Sequence, residues 1–179
     1  AGEVMEEKES ITNKIKRQIT EIEHRTDLTD DQKVHQITHI SCATCAGLAI
    51  QPIPFADIFI LSPTQAYFGT RIATIRGVPI SDSETVDLIK EIVGIIGMGL
   101  LAQQIAIGIW KTVTFGMGGL LTIPLVYALT YAIMKVIDAY YSAKAKNQKL
   151  SDDVIKDIWK KAFKEGKKKG KEHEKEENK

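Results

Sequence analysis

Apolar positions first recur with helical spacing at Ile11, Ile15, Ile19 and Ile22, which predicts an amphipathic helix over residues 3–25. Thr29-Asp30-Asp31-Gln32 has the form of a capping box and opens a second helix that should run to about Ile50. That helix starts polar and passes into small residues: Ser41, Cys42, Ala43, Thr44, Cys45, Ala46, Gly47 and Ala49. Small side chains let another helix approach closely, in membranes especially. Pro52 and Pro54 end it, because proline lacks an amide hydrogen and restrains the residue before it. Ser62-Pro63-Thr64-Gln65 then supplies an N-cap serine and a proline at the first helical position. The helix begun there should reach about Arg76, with Phe68, Ile72 and Ile75 on one side, before Gly77-Val78-Pro79 turns the chain.

Ser81-Asp82-Ser83-Glu84 is a second capping box, and the pattern beyond it changes character. Ile92 to Trp110 is 19 residues without a charge, and Thr112 to Met134 is 23 more, with Lys111 between them. A bilayer core takes about 20 largely apolar residues per helix, so each run is long enough to span one. Gly116, Gly118 and Gly119 stand where a turn is needed. The expectation is a hydrophobic helical hairpin over 82–145, in lipid or at the centre of a bundle. Pro124 should bend its second limb, which is expected from about Gly119 to Ala145. Gly94, Gly97 and Gly99 should mark where its first limb meets another backbone. Gln103 and Gln104 favour a protein-facing side on that limb.

Asn147 to Leu150 reads as a linker and Ser151 as the cap of a last helix. Val154, Ile155, Ile158, Trp159, Ala162 and Phe163 share one face, and lysines dominate the other. Seven lysines and one acid, Glu165, lie between Lys160 and Lys171. Lys160, Lys161, Lys164, Lys167, Lys168 and Lys169 are therefore candidate contacts to an anionic membrane surface. The alternative is a helix docked on the bundle with a solvated outer side. Past Lys171 the charge-alternating tail should be disordered. The chain contains no convincing strand. The expected fold is all-α, a bundle of about six helices around the hairpin. The N-terminal helix occupies 1–27, the helical domain 28–146, and the basic helix with its tail 151–179.

Composition sharpens the compartment more than the chemistry. Apolar residues make up 44% and mean hydropathy is −0.11, but both averages hide a greasy middle between two polar ends. A net charge of +1 gives no bulk attraction to nucleic acid, so no nucleic-acid partner is expected. Two cysteines do not make a disulfide framework, which fits a reducing compartment. The acidic N-terminal residues do not read as a signal peptide.

His35, His39, Cys42 and Cys45 would share about a third of one helix's circumference. From the first to the last of them, however, the helix rises about 15 Å. Zinc reaches ligands only about 2.0–2.3 Å away, so the four cannot bind one ion together. With only His24 and His173 left elsewhere, no metal and no cofactor are expected. A Cys-x-x-Cys redox pair lacks its βαβ setting, and Gly166 to Lys171 lacks the spacing of a phosphate-binding loop. Asp57, in a strongly apolar neighbourhood, either stabilises the first turn of its helix or serves a function. No catalytic role follows from any of these residues.

The run Cys45-Ala46-Gly47-Leu48-Ala49-Ile50-Gln51-Pro52-Ile53-Pro54-Phe55-Ala56-Asp57, with Leu61, Gln65, Ile72 and Gly77, resembles an uncharacterised bacterial domain family. That family follows Era-like or dynamin-like GTPase modules and is similar to part of the YcjF-type inner-membrane proteins. The resemblance runs from about His35 to Ala143. It singles out Pro52, Pro54, Asp57 and Gln65, but Phe55 stands where many members have glycine, and Arg76 where many have tyrosine. It implies a non-catalytic, membrane-associated helical module beside a GTPase in the same or a separate chain.

The expectation is thus a bacterial inner-membrane module that partners the lipid membrane and can self-associate. Lys and Arg flanking the hairpin place both termini in the cytoplasm. The alternative is a cytoplasmic, soluble and oligomeric bundle that buries the hairpin in protein.

Overall fold

The computed structural model describes residues 2–49, 62–97, 99–104 and 123–179, and every regular element among them is an α-helix. The elements are α1 (Gly2–His24), α2 (Asp30–Ala49), α3 (Ser62–Ile75), α4 (Asp82–Ile96), α5 (Ile123–Ala145) and α6 (Asp152–Glu177). Residues 99–104 form a further helical stretch. Pro52, Pro54, Asp57, the expected turn around Lys111 and the glycines from Gly116 to Gly119 lie outside the described residues.

Local chemistry accounts for the helix boundaries. Thr29 accepts from the Gln32 amide at 3.2 Å, while the Gln32 side chain accepts from the Thr29 amide at 2.9 Å. Ser81 and Glu84 repeat this reciprocal box before α4, and Ser151 Oγ accepts from the Val154 amide before α6. α3 closes in a Schellman turn. Gly77 takes φ +84°, its amide donates to Thr74 O, and the Val78 amide donates to Ala73 O. Asn147, at φ 55°, closes α5 in the same way, with Gln148 donating to Ala143 O. Asparagine tolerates this left-handed geometry better than most residues.

The helices alternate in direction around α5. Arg76, at the end of α3, holds Asp138 on α5 through Nε at 2.6 Å and Nη2 at 3.2 Å, and reaches Asp31 on α2 at 2.8 Å. Gln65, near the start of α3, donates to Thr130 at 3.1 Å, so α3 runs parallel to α5. Gly69 has no Cβ, and one built there would lie 2.8 Å from Thr85 Cγ2 and 2.9 Å from Ile137 Cδ1, so α3, α4 and α5 meet at this point. The Thr70 and Thr85 hydroxyls share a buried hydrogen bond of 2.8 Å beside it. α6 returns antiparallel to α5, with Gly166 on Ala128 and Tyr131 and Gly170 on Pro124 and Tyr127. α1 lies along α2 and α3, with Ile19 and Ile22 buried, Lys33 Nζ donating to Glu23 O, and Lys16 over the Tyr67 ring.

This topology gives the bundle two unlike ends. The connections 25–29, 76–81 and 146–151 are short, capped and gathered at one end. The ends of α2 and α4 and the starts of α3 and α5 lie at the other.

α5 forms the core. Leu125 to Met134, Val136, Ile137, Tyr141 and Ala143 are all buried, and α2, α3, α4 and α6 pack around it. It is one helix long and apolar enough to cross a membrane, but 67% of its most apolar window is already covered by protein. The other expected limb is not one continuous helix. α4 stops at Ile96, Gly97 takes φ +86° and ψ 141°, and residues 99–104 start a new helical stretch. Gln104 Oε1 then accepts from Trp159 Nε1 on α6 at 3.1 Å. The uncharged pattern hid this break because apolar residues on either side of a glycine look like one run.

Candidate functional site: a histidine-lined groove between three helices

His35 and His39 lie one turn apart on α2 and face the C-terminal half of α6 across two tyrosines of α5. Together with Thr38, Tyr127, Tyr131, Lys169, Glu172, His173 and Glu176 they enclose a cavity of about 130 Å³. His39 Nδ1 and the Tyr127 hydroxyl are 2.8 Å apart, in a hydrogen bond whose direction follows the imidazole tautomer. The His173 ring lies 6.4 Å from the His39 ring, edge to face, and 5.7 Å from the Tyr127 ring. Partial burial lowers the pKa of His39, and the neighbouring His173, His35 and Lys169 lower it further, while Glu176 acts the other way. Burial raises the Tyr127 and Tyr131 phenols well above their ordinary range, so both remain neutral hydroxyls that donate or accept hydrogen bonds.

Sequence reasoning missed this constellation because it treated His173 as part of a disordered tail. The structure continues α6 as helix to Glu177. A signal was present: Trp159, Phe163, Gly166, Gly170 and His173 recur at spacings of four, three, four and three, so the buried stripe passes from apolar side chains to glycines. Gly166 and Gly170 are the glycines that make close approaches here. A Cβ at either would come within 2.8 Å of a carbon on α5. For Gly94, Gly97 and Gly99 the described helices supply no such close approach. A Cβ on any of the three meets nothing within 4 Å among the described residues. Gly97 instead serves the backbone, through its positive φ.

The remaining singled-out residues divide plainly. Gln65 is buried and bonded to Thr130, a structural link between α3 and α5. Cys42 and Cys45 are free thiols at 0% exposure. Burial pushes the Cys45 thiol up to about 12, and Cys42 well above its usual value. Thiols held so far from the thiolate form are poor nucleophiles and metal ligands. Among the described residues, no three His, Cys, Asp or Glu side chains are gathered where they could hold a metal ion. On α6, Ile155, Trp159, Ala162 and Phe163 are buried in the bundle core, whereas Val154 is 43% exposed. The apolar face of this helix is therefore spent on protein. Lys160, Lys161, Lys164 and Lys168 face solvent, while Lys167 and Lys169 are partly covered, and Lys169 lines the groove.

The groove places a hydrogen-bonded imidazole of α2 beside the polar side chains of α6. The hydroxyl–imidazole pair in it, Tyr127 with His39, joins a base to a phenol that burial keeps protonated. No protein-family profile, curated protein or solved structure matches this chain.

Proposed function

We propose that this chain is a non-catalytic helical module that attaches to a membrane through the apolar sequence between Gln104 and Ile123, with α5 as the core of its protein part. What carries this reading is the enclosure of α5 by four helices. With α5 serving as core, the apolar surplus left in the chain is the tract 105–122, whose one charge is Lys111. A tract of that composition gains by leaving water, and inserted charges there are costly. The exposed lysines Lys160, Lys161, Lys164 and Lys168 add an electrostatic attraction of about 1 kcal/mol each when close to an anionic surface. Work beside a GTPase belongs to the proposal through the resemblance of the Cys45–Asp57 run. A bacterial inner-membrane location with cytoplasmic termini rests on that resemblance and on the lysine and arginine flanks.

The second reading, a soluble oligomer, is favoured by the same enclosure of α5, since another copy can cover 105–122 as four helices cover α5. Flotation of the purified full chain with anionic and neutral vesicles separates the two, using Ile105→Lys together with Ile109→Lys. The membrane reading expects the wild type to float with anionic vesicles, and the variant to lose flotation with an unchanged melting temperature in the absence of lipid. A wild type that never floats, with a variant that loses oligomer size and melts lower, overturns it in favour of the oligomer.

A further inference from the structure

We propose that the C-terminal half of α6, residues 164–177, is a proton-released clasp, held on α2 and α5 while His39 is neutral and let go when it protonates. The proposal stands on how this half-helix is attached. Residues 152–163 dock through Ile155, Trp159, Ala162 and Phe163, all buried. After Phe163 the sequence Lys-Glu-Gly-Lys-Lys-Lys-Gly-Lys-Glu-His-Glu-Lys-Glu-Glu contains only charged residues, one histidine and two glycines, and no apolar side chain. The attachment there includes two close approaches of bare glycine backbone, Gly166 to Ala128 and Tyr131, and Gly170 to Pro124 and Tyr127, with a side-chain hydrogen bond between Glu165 and Tyr131 beside them. Beyond them lies the polar groove. A helix docked in this way lacks the apolar burial that makes the first half insensitive to charge.

The groove is where charge enters. His39 faces His35 on its own helix, Tyr127 and Tyr131 on α5, and Lys169, Glu172, His173 and Glu176 on α6. Glu172 and Glu176 favour an imidazolium. Desolvation is the largest influence on His39, and it acts with His173, His35 and Lys169 against the charged form, so the balance falls on the neutral side. Because docking lowers the pKa of His39, the undocked helix binds the proton more tightly. The clasp is then fully held above the ordinary histidine value of about 6.5, and loosens as pH falls through and below it. Release also uncovers the Tyr127 and Tyr131 rings, which are 2% and 4% exposed in the docked state.

Amide hydrogen exchange on the full chain tests this directly, as protection factors corrected for the intrinsic exchange rate, at about pH 7.5 and about pH 5.5, either side of the histidine value. The expected result is a fall in protection confined to 164–177, with 152–163 unchanged, and of up to about tenfold, the most that one histidine of ordinary pKa about 6.5 contributes at about pH 5.5. The doubly substituted His39→Gln, His173→Gln chain should keep 164–177 equally protected at both pH values. Unchanged protection in the wild type, a fall shared equally by 152–163, or the same fall in the double variant overturns the clasp. Should the double variant fail to fold, the ring titration of His39 in the wild type, followed by NMR, decides. A His39 value below the ordinary one supports the clasp, and one at or above it overturns the clasp.

Discussion

Arg76 is the residue on which three helices converge, and its geometry decides which of its contacts matters. Its fork meets both carboxylate oxygens of Asp138 with both side chains mostly covered, at 17% and 20% exposure. The Asp31 partner is 86% exposed, and solvent-facing pairs of that kind contribute about 0–1 kcal/mol. Arg76→Lys keeps the charge but cannot present two parallel donors, so it should destabilise the fold by about 1–3 kcal/mol in urea unfolding, whereas Asp31→Asn should change it by less than about 1 kcal/mol. Cys42 and Cys45 give a second residue-scale prediction. With both sulfurs buried and poorly ionised, an aromatic disulfide reagent at neutral pH should modify neither in the folded chain and both in denaturant. Rapid labelling of the native protein would show that α2 does not stay packed on α5.

At the scale of elements, the break between α4 and residues 99–104 is a backbone device. Gly97 combines φ +86° with ψ 141°, a region that side-chain-bearing residues enter only at a cost of about 1–3 kcal/mol. The space around its missing Cβ is open among the described residues. Gly97→Ala should therefore lower the melting temperature through backbone strain. Gly94→Ala, inside α4 and also in open space, should leave stability the same or raise it by about 1 kcal/mol through better helix propensity. Equal effects of the two substitutions would remove the case for a break at Gly97. Residues 99–104 then reach α6 through the Gln104–Trp159 bond. α6 divides the same way, an apolar half that docks by burial and a polar half that docks by glycine.

For the whole molecule, the two-ended topology has a consequence for sidedness. The N-terminal residues of α2, α4 and α6 share the capped end, and the ends of α2 and α4 lie at the opposite one. If 105–122 is the membrane contact, the described bundle stays on one side of the bilayer, with the side set by Arg71, Arg76, Lys90, Lys135, Lys144, Lys146 and Lys149. Reporter enzymes fused at the C-terminus of the full chain should be active in the cytoplasm and silent in the periplasm. A periplasmic C-terminus would overturn the side that these lysines and arginines assign.

Some of this was written in the sequence because it depends on near neighbours. The capping boxes at Thr29 and Ser81, the cap at Ser151, the turn at Gly77 and the all-α class follow from side-chain hydrogen bonds and spacing within four residues. So does the stripe of Ile15, Ile19 and Ile22 that seats α1. What surrounds an apolar helix is not a local property. A fully buried core helix and a lipid-facing one bury the same side chains, and only the packing of α2, α3, α4 and α6 assigns α5 to the protein interior. The groove was equally illegible, since His39 and His173 are 134 positions apart in the chain. Gly166 and Gly170 were readable as a pattern but not as a contact, because a glycine's role lies in what comes close to it. Only the tertiary fold brings Pro124, Tyr127, Ala128 and Tyr131 to that distance.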